Sequence, residues 1–405
     1  MADLRRTRLV ILAVALVALA LKLSVAATTF GTYDVKLWYV FLHLVRVDGP
    51  IGIYRLPFAQ TLYNHPPLIG YYLQLVNLLE HVGLAGNFTI RAVSSFADVA
   101  TGLIVFELLR AKCSLRVAGV GAVLVVASPI LFIISGYHGN TDPVFTMLTL
   151  LSLYLLTERS RPLLAGVAMA LSLGVKVVPI VALPCLLVYA YRRGGGHITR
   201  YVIGLVAVSA LYWIPAMVAQ FGAVEHNVLG YAGLNAHEWG IGQLEYYLRN
   251  AELEHLIDGP GRVLIVIVCA AGPALLVWRR PELAGQGVAF ALAGFLVLSP
   301  TFGTQYLAWA AAAVVLLSLR AALVFNLVAG ILLFEVYTRW NGGLLWSDAA
   351  HATRFNSGER VFALLVWATL VFALVDGLRR LPARSGPSSR GGPGRRVPPR
   401  FATRR

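Results

Sequence analysis

Apolar runs, each close to the length of a bilayer crossing, recur along the whole chain, and Arg, Lys, Gly and Pro collect between them. A helix needs about 20 residues to cross the hydrocarbon core, whereas an outer-membrane barrel alternates in segments of about ten. The pattern predicts twelve membrane-embedded helices, near 8–28, 92–110, 117–136, 143–157, 162–175, 177–191, 201–220, 262–278, 284–299, 305–319, 321–337 and 360–378. Helices 162–175 and 177–191 are short and read as a hairpin with Lys176 at its tip. The fold class is therefore an all-α polytopic membrane protein.

Charge orients the threading. With the N-terminus inside, 23 of the 34 Lys and Arg fall inside and 10 outside, with Lys22 within the first helix; the opposite orientation inverts that bias. Both termini are expected in the cytoplasm of a cell that keeps the chain in its inner or plasma membrane. Three outer stretches are then long, at 29–91, 221–261 and 338–359. In the first, Pro67–His81 is apolar but spans only about 22 Å as a helix. Leu68, Tyr72, Leu75 and Leu79 share one face, so it reads as an amphipathic helix on the membrane surface. Val35–Val45 is a second such candidate, followed by a turn-rich Asp48-Gly49-Pro50-Ile51-Gly52. Residues 1–380 form one integral-membrane unit, and 381–405, dominated by Arg, Gly, Pro and Ser, read as a disordered basic cytoplasmic tail able to touch anionic lipid.

Composition sharpens this picture. The 405 residues are 58% hydrophobic and 13% charged, against roughly 45–50% and 25% in soluble domains. The net charge of +15 is explained by basic cytoplasmic loops rather than by a nucleic-acid partner. Cys113, Cys185 and Cys269 are scattered, with no disulfide or metal spacing. The basic start and long apolar run to Ala27 read as an uncleaved first helix rather than a signal peptide. No Walker A loop, dinucleotide fingerprint, HExxH or GxSxG occurs, so a cytosolic nucleotide-driven domain has no place. Asn87-Phe88-Thr89 fits a glycosylation triplet, a pattern that chance often produces.

The polar residues gather on the outer side. Asp34 follows helix 1 among Tyr33 and Trp38; it can serve as a general base on an acceptor hydroxyl or cap the helix that starts near Val35, and local sequence alone favours the cap. His65, before Pro66-Pro67, can hydrogen-bond a phosphate or hydroxyl, or simply be a loop histidine. Residues 137–143, Tyr-His-Gly-Asn-Thr-Asp-Pro, form a tight outer turn. There His138, Asn140 and Asp142 can wall a polar ligand, while Asp142 ahead of Pro143 also fits a cap. Lys176 is a costly charge near the membrane that suits a lipid phosphate or snorkels to the interface. Ser299 to Leu307 form a late outer turn whose hydroxyls, Gln305 amide and Tyr306 phenol can converge on a sugar or phosphate, while interfacial anchoring alone also explains Tyr306.

Taken in order, these elements resemble the GT-C class of integral-membrane glycosyltransferases, most of all polyprenol-phosphate-mannose-dependent mannosyltransferases. The matching residues are Tyr33-Asp34, His65-Pro66-Pro67-Leu68, Arg91, Ala97-Asp98, His138 to Asp142, Gly174-Val175-Lys176 and Ser299-Pro300 with Gln305-Tyr306-Leu307. The resemblance covers about residues 8–320 and implies transfer of one sugar, mannose or another hexose or pentose. The implied donor is a polyprenyl phosphate, the implied acceptor an extracytoplasmic lipid or glycan, and the anomeric centre inverts. It makes Asp34 the base. It gives Lys176, Gln305, Tyr306 and His65 to the donor phosphate, and Tyr33, His138, Asn140 and Asp142 to the sugar or acceptor. Some relatives hold a divalent metal with a second acid, but here Asp34 is followed by Val35 and Lys36, which puts metal dependence in doubt and leaves no cofactor assigned. A lipid-linked-sugar flippase and a polysaccharide polymerase or ligase remain as alternatives; a transporter should place its polar groups near the midplane.

Overall fold

A computed structural model of the chain describes residues 2–56, 62–231, 238–248, 251–349 and 354–381. The tail expected at 381–405 therefore lies, apart from Leu381, outside the described residues. Among the described residues, eight helices are long and apolar enough to cross a membrane, and shorter apolar helices lie between them. Each of the twelve expected helices has a counterpart. The chain is an all-α polytopic membrane protein.

Helix α1 (Ala2–Thr28) runs directly into a two-residue strand, β1 (Gly31–Thr32), and α2 (Tyr33–Gly52). The surface-helix candidate at Val35–Val45 is thus part of a longer element. The turn expected at 48–52 shrinks to one break at Gly49, whose φ of 79° is left-handed and costs a glycine little. Helix α3 (Pro67–Glu80) packs on α2, so closely that a Cβ at Gly70 would stand 2.1 Å from Pro50 O. The face expected to lie on the membrane, Leu68, Tyr72, Leu75 and Leu79, is half-buried to exposed, and the helix packs on the protein through another face that includes Ile69, Leu73, Val76 and Asn77. Asn77 turns inward because its amide donates to Leu42 O and its carbonyl oxygen accepts from Arg46 (2.9 and 3.1 Å); a satisfied amide can be buried.

Helix α4 (Gly86–Arg110) lies against α1 and is fastened to it twice. Arg91, fully buried, donates to Ala26 O, Thr29 O and Thr29 Oγ1 at 2.7–2.9 Å. Those groups are at the end of α1, where backbone carbonyls lack helical partners. Deeper in, Lys22 and Asp98 pair at 2.6 Å with both side chains 2% exposed.

The third expected helix is broken. Helix α5 (Leu115–Val126) stops, Ser128 caps α6 (Pro129–Ile133) through Leu131 N, and a π-helical turn follows over Ile134–His138. Beyond it come α7 (Asp142–Thr157), α8 (Pro162–Val175), α9 (Leu183–Arg192) and α10 (Gly195–Val224). Lys176 sits in extended backbone between α8 and a short 3₁₀ turn, Val178–Val181, as the hairpin reading expects. The chain continues through α11 (Gly240–Leu248), α12 (Ala251–Leu256), α13 (Arg262–Arg279) and α14 (Ala284–Leu298). Helix α15 (Leu307–Ala313) is buried at every position, its run of alanines letting neighbouring helices approach closely. Helices α16 (Leu319–Trp340) and α17 (Ser357–Arg379) complete the bundle. Strand β2 (Asp348–Ala349) pairs in parallel with β1, Gly31 opposite Asp348, so the segment between α16 and α17 touches the one that follows α1.

Candidate active site

The clamp of α4 on α1 fixes where the chain leaves α1, and so where Asp34 stands. Asp34 is in the first turn of α2, behind an N-cap position filled by Thr32 that makes no side-chain capping bond. The cap reading of Asp34 therefore does not hold. Its Oδ2 instead accepts from His138 Nε2 at 2.9 Å and from Asn140 Nδ2 at 2.8 Å. Both bonds fall on one oxygen. Oδ1 has no partner among the described residues, and the side chain is 28% exposed, so one carboxylate oxygen stays open to an incoming group. Burial pushes the Asp34 carboxyl up, but His138 and Asn140 beside it outweigh burial, and the group settles below its ordinary value of 3.8.

The turn that holds Asp34 is itself held. Thr32 donates to His138 O, Trp38 to Gly139 O and Ser94 to Asn140 O, at 2.8, 2.8 and 2.6 Å. Three successive carbonyls are thus tied to three elements. Gly139 has a φ of 81°, and a Cβ there would stand 2.4 Å from Val35 Cγ2, so only glycine fits. Asn140 Oδ1 accepts from Asp142 N at 3.2 Å, which turns the amide end toward Asp34. His138 Nδ1 meets the Tyr337 hydroxyl in a short hydrogen bond, and Tyr337 meets Thr304 Oγ1 at 2.8 Å. A carboxylate only accepts, so an imidazole with a single proton carries it on Nε2 here, and Nδ1 then accepts from Tyr337. His138 and Asn140 are 4% and 6% exposed; they position Asp34 rather than wall a ligand.

Beside this cluster lies a cavity of about 330 Å³ lined by Asn64, His65, Lys176, Ser299, Thr301 and Tyr306, with apolar side chains around them. Asp34 does not line it, but the Lys176 charge acts on Asp34. Lys176 Nζ donates to Asp142 Oδ1 at 2.5 Å and stands 4.6 Å from the centre of the Tyr306 ring, which itself stacks on Trp309. His65 stacks on Trp38 at 4.6 Å. Burial first, and Lys176 second, pull its imidazole down to about 3, so it is neutral at physiological pH and can offer one N–H but no charge. A larger groove of about 990 Å³, walled by α1, α6, α16 and Trp346, has no titratable side chain and offers no chemistry.

Several expectations are corrected here. Asp142 neither caps α7, whose N-cap position is Thr141, nor faces a ligand. It is fully buried, with one oxygen on Lys176 and the other without a partner. Gln305 does not line the cavity; its amide folds back over Gly303, where a Cβ would come within 2.6 Å of it. Tyr33 is half-buried one residue before Asp34, with no hydrogen bond to the cluster. Thr304 belongs to the late outer turn read from the sequence, whereas Tyr337 is in none of the candidate clusters. Among the described residues, no group of three or more His, Cys, Asp or Glu could hold a metal ion.

Comparison with known proteins bears on the family of the chain. A family model described as dolichyl-phosphate-mannose-protein mannosyltransferase matches residues 64–219. GPI mannosyltransferase 1 of Kluyveromyces lactis is 25% identical over 272 residues, 62% of this chain and 64% of that protein. The protein of the same name from Debaryomyces hansenii is 23% identical over 260 residues, covering 60% and 58%. The one from Saccharomyces cerevisiae is 25% identical over 259 residues, covering 59% and 62%. The resemblance to GT-C mannosyltransferases stands. The matches span less than two thirds of these curated relatives' length.

The stretch matched by the mannosyltransferase model takes in His65, Asp98, the turn from His138 to Asp142 and Lys176. Asp34, Tyr306 and Tyr337 lie outside it. The matched stretch thus supplies the two hydrogen bonds to Asp34 and the cation beside the cavity, while the carboxylate itself comes from an earlier part of the chain.

Proposed function

We propose that the protein transfers one mannosyl unit from a polyprenyl-phosphate donor to an acceptor hydroxyl on the extracytoplasmic face, with inversion and with Asp34 as general base. The observation that carries this reading is the carboxylate whose Oδ2 is fixed by His138 and Asn140 while Oδ1 is left open. The similarity to proteins named as mannosyltransferases supports the sugar. In the step, the acceptor oxygen bonds to C1 of the sugar and the C1–O bond to phosphate breaks. The bonding pair leaves on the polyprenyl phosphate, and the acceptor proton passes to Asp34 Oδ1. A carboxylate held below its ordinary value is a weak base. It takes the proton late, once the acceptor oxygen has begun to bond and turned acidic. Asp34→Asn tests the assignment, as argued in the Discussion.

In this reading the cavity takes the donor head, with Lys176 toward the phosphate and Tyr306 and neutral His65 as hydrogen-bond donors. One Lys176 proton is spent on Asp142, leaving others to face the cavity. Lys176→Ala is expected to lower donor affinity about tenfold, a loss worth about 1.4 kcal/mol, and also to strip a buried carboxylate of its cation. Lys176→Ala with Asp142→Asn separates the two effects: stability should recover while donor affinity, followed by equilibrium binding of polyprenyl-phosphate mannose, stays low. Wild-type affinity in the double variant would take Lys176 out of the donor site.

Tyr337 has a different part, since it holds His138 in the tautomer that donates to Asp34. Without its hydroxyl the imidazole is free to place its proton on Nδ1, and Nε2 would then meet the carboxylate lone pair to lone pair. Tyr337→Phe is expected to lower kcat by roughly tenfold, about 1.4 kcal/mol of barrier, with KM within twofold. An unchanged kcat would show that the tautomer needs no such lock.

A further inference from the structure

At the end of the molecule opposite Asp34, a groove of about 380 Å³ separates the start of α1 from the start of α5. Arg6 is 22 residues before the end of α1, roughly 33 Å along a helix, which is one bilayer thickness. The groove is apolar along its length, with Val10, Ile11, Val123 and Leu124 as walls, and bears two cations at its mouth, Arg6 and Arg116. Their neighbours are satisfied. Arg8 pairs with Glu107 at 2.6 Å, and Arg110 shares the same carboxylate. Arg6 and Arg116 have no hydrogen bond or ion pair among the described residues. Glu107 on α4 is already shared by two arginines, and Asp3, one turn before Arg6 on α1, makes no ion pair with it among the described residues.

We propose that this groove binds one anionic phospholipid, its phosphodiester between Arg6 and Arg116 and an acyl chain in the slot between α1 and α5. Charge complementarity selects the head. Guanidinium groups match phosphate oxygens in pairs, and basic pockets between transmembrane helices on the cytoplasmic side suit such headgroups. The apolar walls select the chain: a free phosphate or an acidic peptide would leave Val10, Val120 and Leu124 uncovered. Nor can the basic tail supply the anion, since residues 382–405 contain Arg and no Asp or Glu. The foot of α1 also needs support here. Ile11 packs with Phe106, Ala118 and Ala122 in a small cluster separate from the main core. A lipid seated beside it extends that cluster and stabilises the docked α1 by mass action.

The test uses the purified full chain in detergent, native mass spectrometry, and phosphatidylglycerol and phosphatidylcholine of identical chains. Wild type should retain one phosphatidylglycerol in preference to phosphatidylcholine, and phosphatidylglycerol alone should raise the thermal unfolding midpoint. Each of Arg6→Gln and Arg116→Gln should weaken retention about fivefold, the factor per basic residue near a membrane surface, and the double variant about 25-fold. These side chains are exposed, so the variants should fold. Val123→Phe keeps both charges but fills the slot, and should also lose the lipid. Arg279→Gln, elsewhere on the chain, should change nothing. Equal retention of the two lipids, a double variant that keeps its preference, or an equal loss in Arg279→Gln would overturn the proposal. So would full binding of glycerol phosphate without chains.

Discussion

Asp34→Asn should fold like the wild type and turn over about 10²–10⁴-fold more slowly, the usual contribution of a positioned general base. The substitution is close to isosteric. Its amide oxygen can still accept from His138 and Asn140, whose bonds to Oδ2 are 2.9 and 2.8 Å, so the turn should remain in place. What disappears is the open Oδ1 as a proton acceptor. The rate measured with saturating donor isolates this loss from binding, because the contacts proposed for the donor lie in the cavity beside Asp34, which Asp34 does not line. The base assignment predicts no recovery at higher pH in Asp34→Asn, since an amide gains no basicity there. In the wild type the carboxyl sits below its ordinary value. Asp34 should then stay ionised on cooling pH through 5, and any acid limb near neutrality belongs to another group. Turnover within a few-fold of wild type in Asp34→Asn would remove Asp34 from the chemistry.

The second large effect concerns stability. Lys22→Met should destabilise the protein by about 3–5 kcal/mol, the cost of leaving one member of a buried ion pair without its partner. Lys22 and Asp98 are 2% exposed and 2.6 Å apart, so water cannot replace the lost cation. Lys22→Met with Asp98→Leu should recover most of the loss, since apolar replacements of similar volume are often neutral or better. Thermal unfolding in detergent, followed by tryptophan fluorescence, measures both. A single variant as stable as wild type would mean that Asp98 finds another proton or cation. The pair lies under the His138 turn, where a Cβ at Gly136 would stand 3.2 Å from Lys22 Cα. The single variant should therefore also loosen the turn that holds Asp34.

The helices were legible because membrane burial writes itself into run length. Even the short hairpin around Lys176 could be read, since its two arms stay apolar up to the charge. The first outer loop was harder. Leu68, Tyr72, Leu75 and Leu79 make an apolar face by spacing, yet the packed face is the one with Ile69, Leu73, Val76 and Asn77; in a membrane both faces of a helix can be apolar, so periodicity does not tell protein from lipid. Individual site residues could be picked out, but not their pairings. Asp34 and His138 are 104 positions apart, and Lys176 and Asp142 are 34 apart, one in the extended tip after α8 and the other at the start of α7. Local rules therefore assigned both acids to caps. Tyr337 left one usable signal: it shares the buried face of α16 with Asn326, Ala329 and Leu333. A hydroxyl on that face needs a partner inside the bundle.

The two-residue pairing of Gly31–Thr32 with Asp348–Ala349 has a consequence for how this face of the molecule diversifies. Evolution can lengthen or rewrite most surface loops freely, but this one is spliced to the segment that carries Asp34. Within it, Asn341 Oδ1 accepts from Tyr137 and from Ser347 N, and Trp346 donates to Thr338. Insertions should therefore be tolerated at the exposed tip, Leu344 and Leu345, and rejected at its base. Among descendants of this sequence, the tip is where length would drift and new acceptor preferences would first arise, while Asn341 and Trp346 would stay.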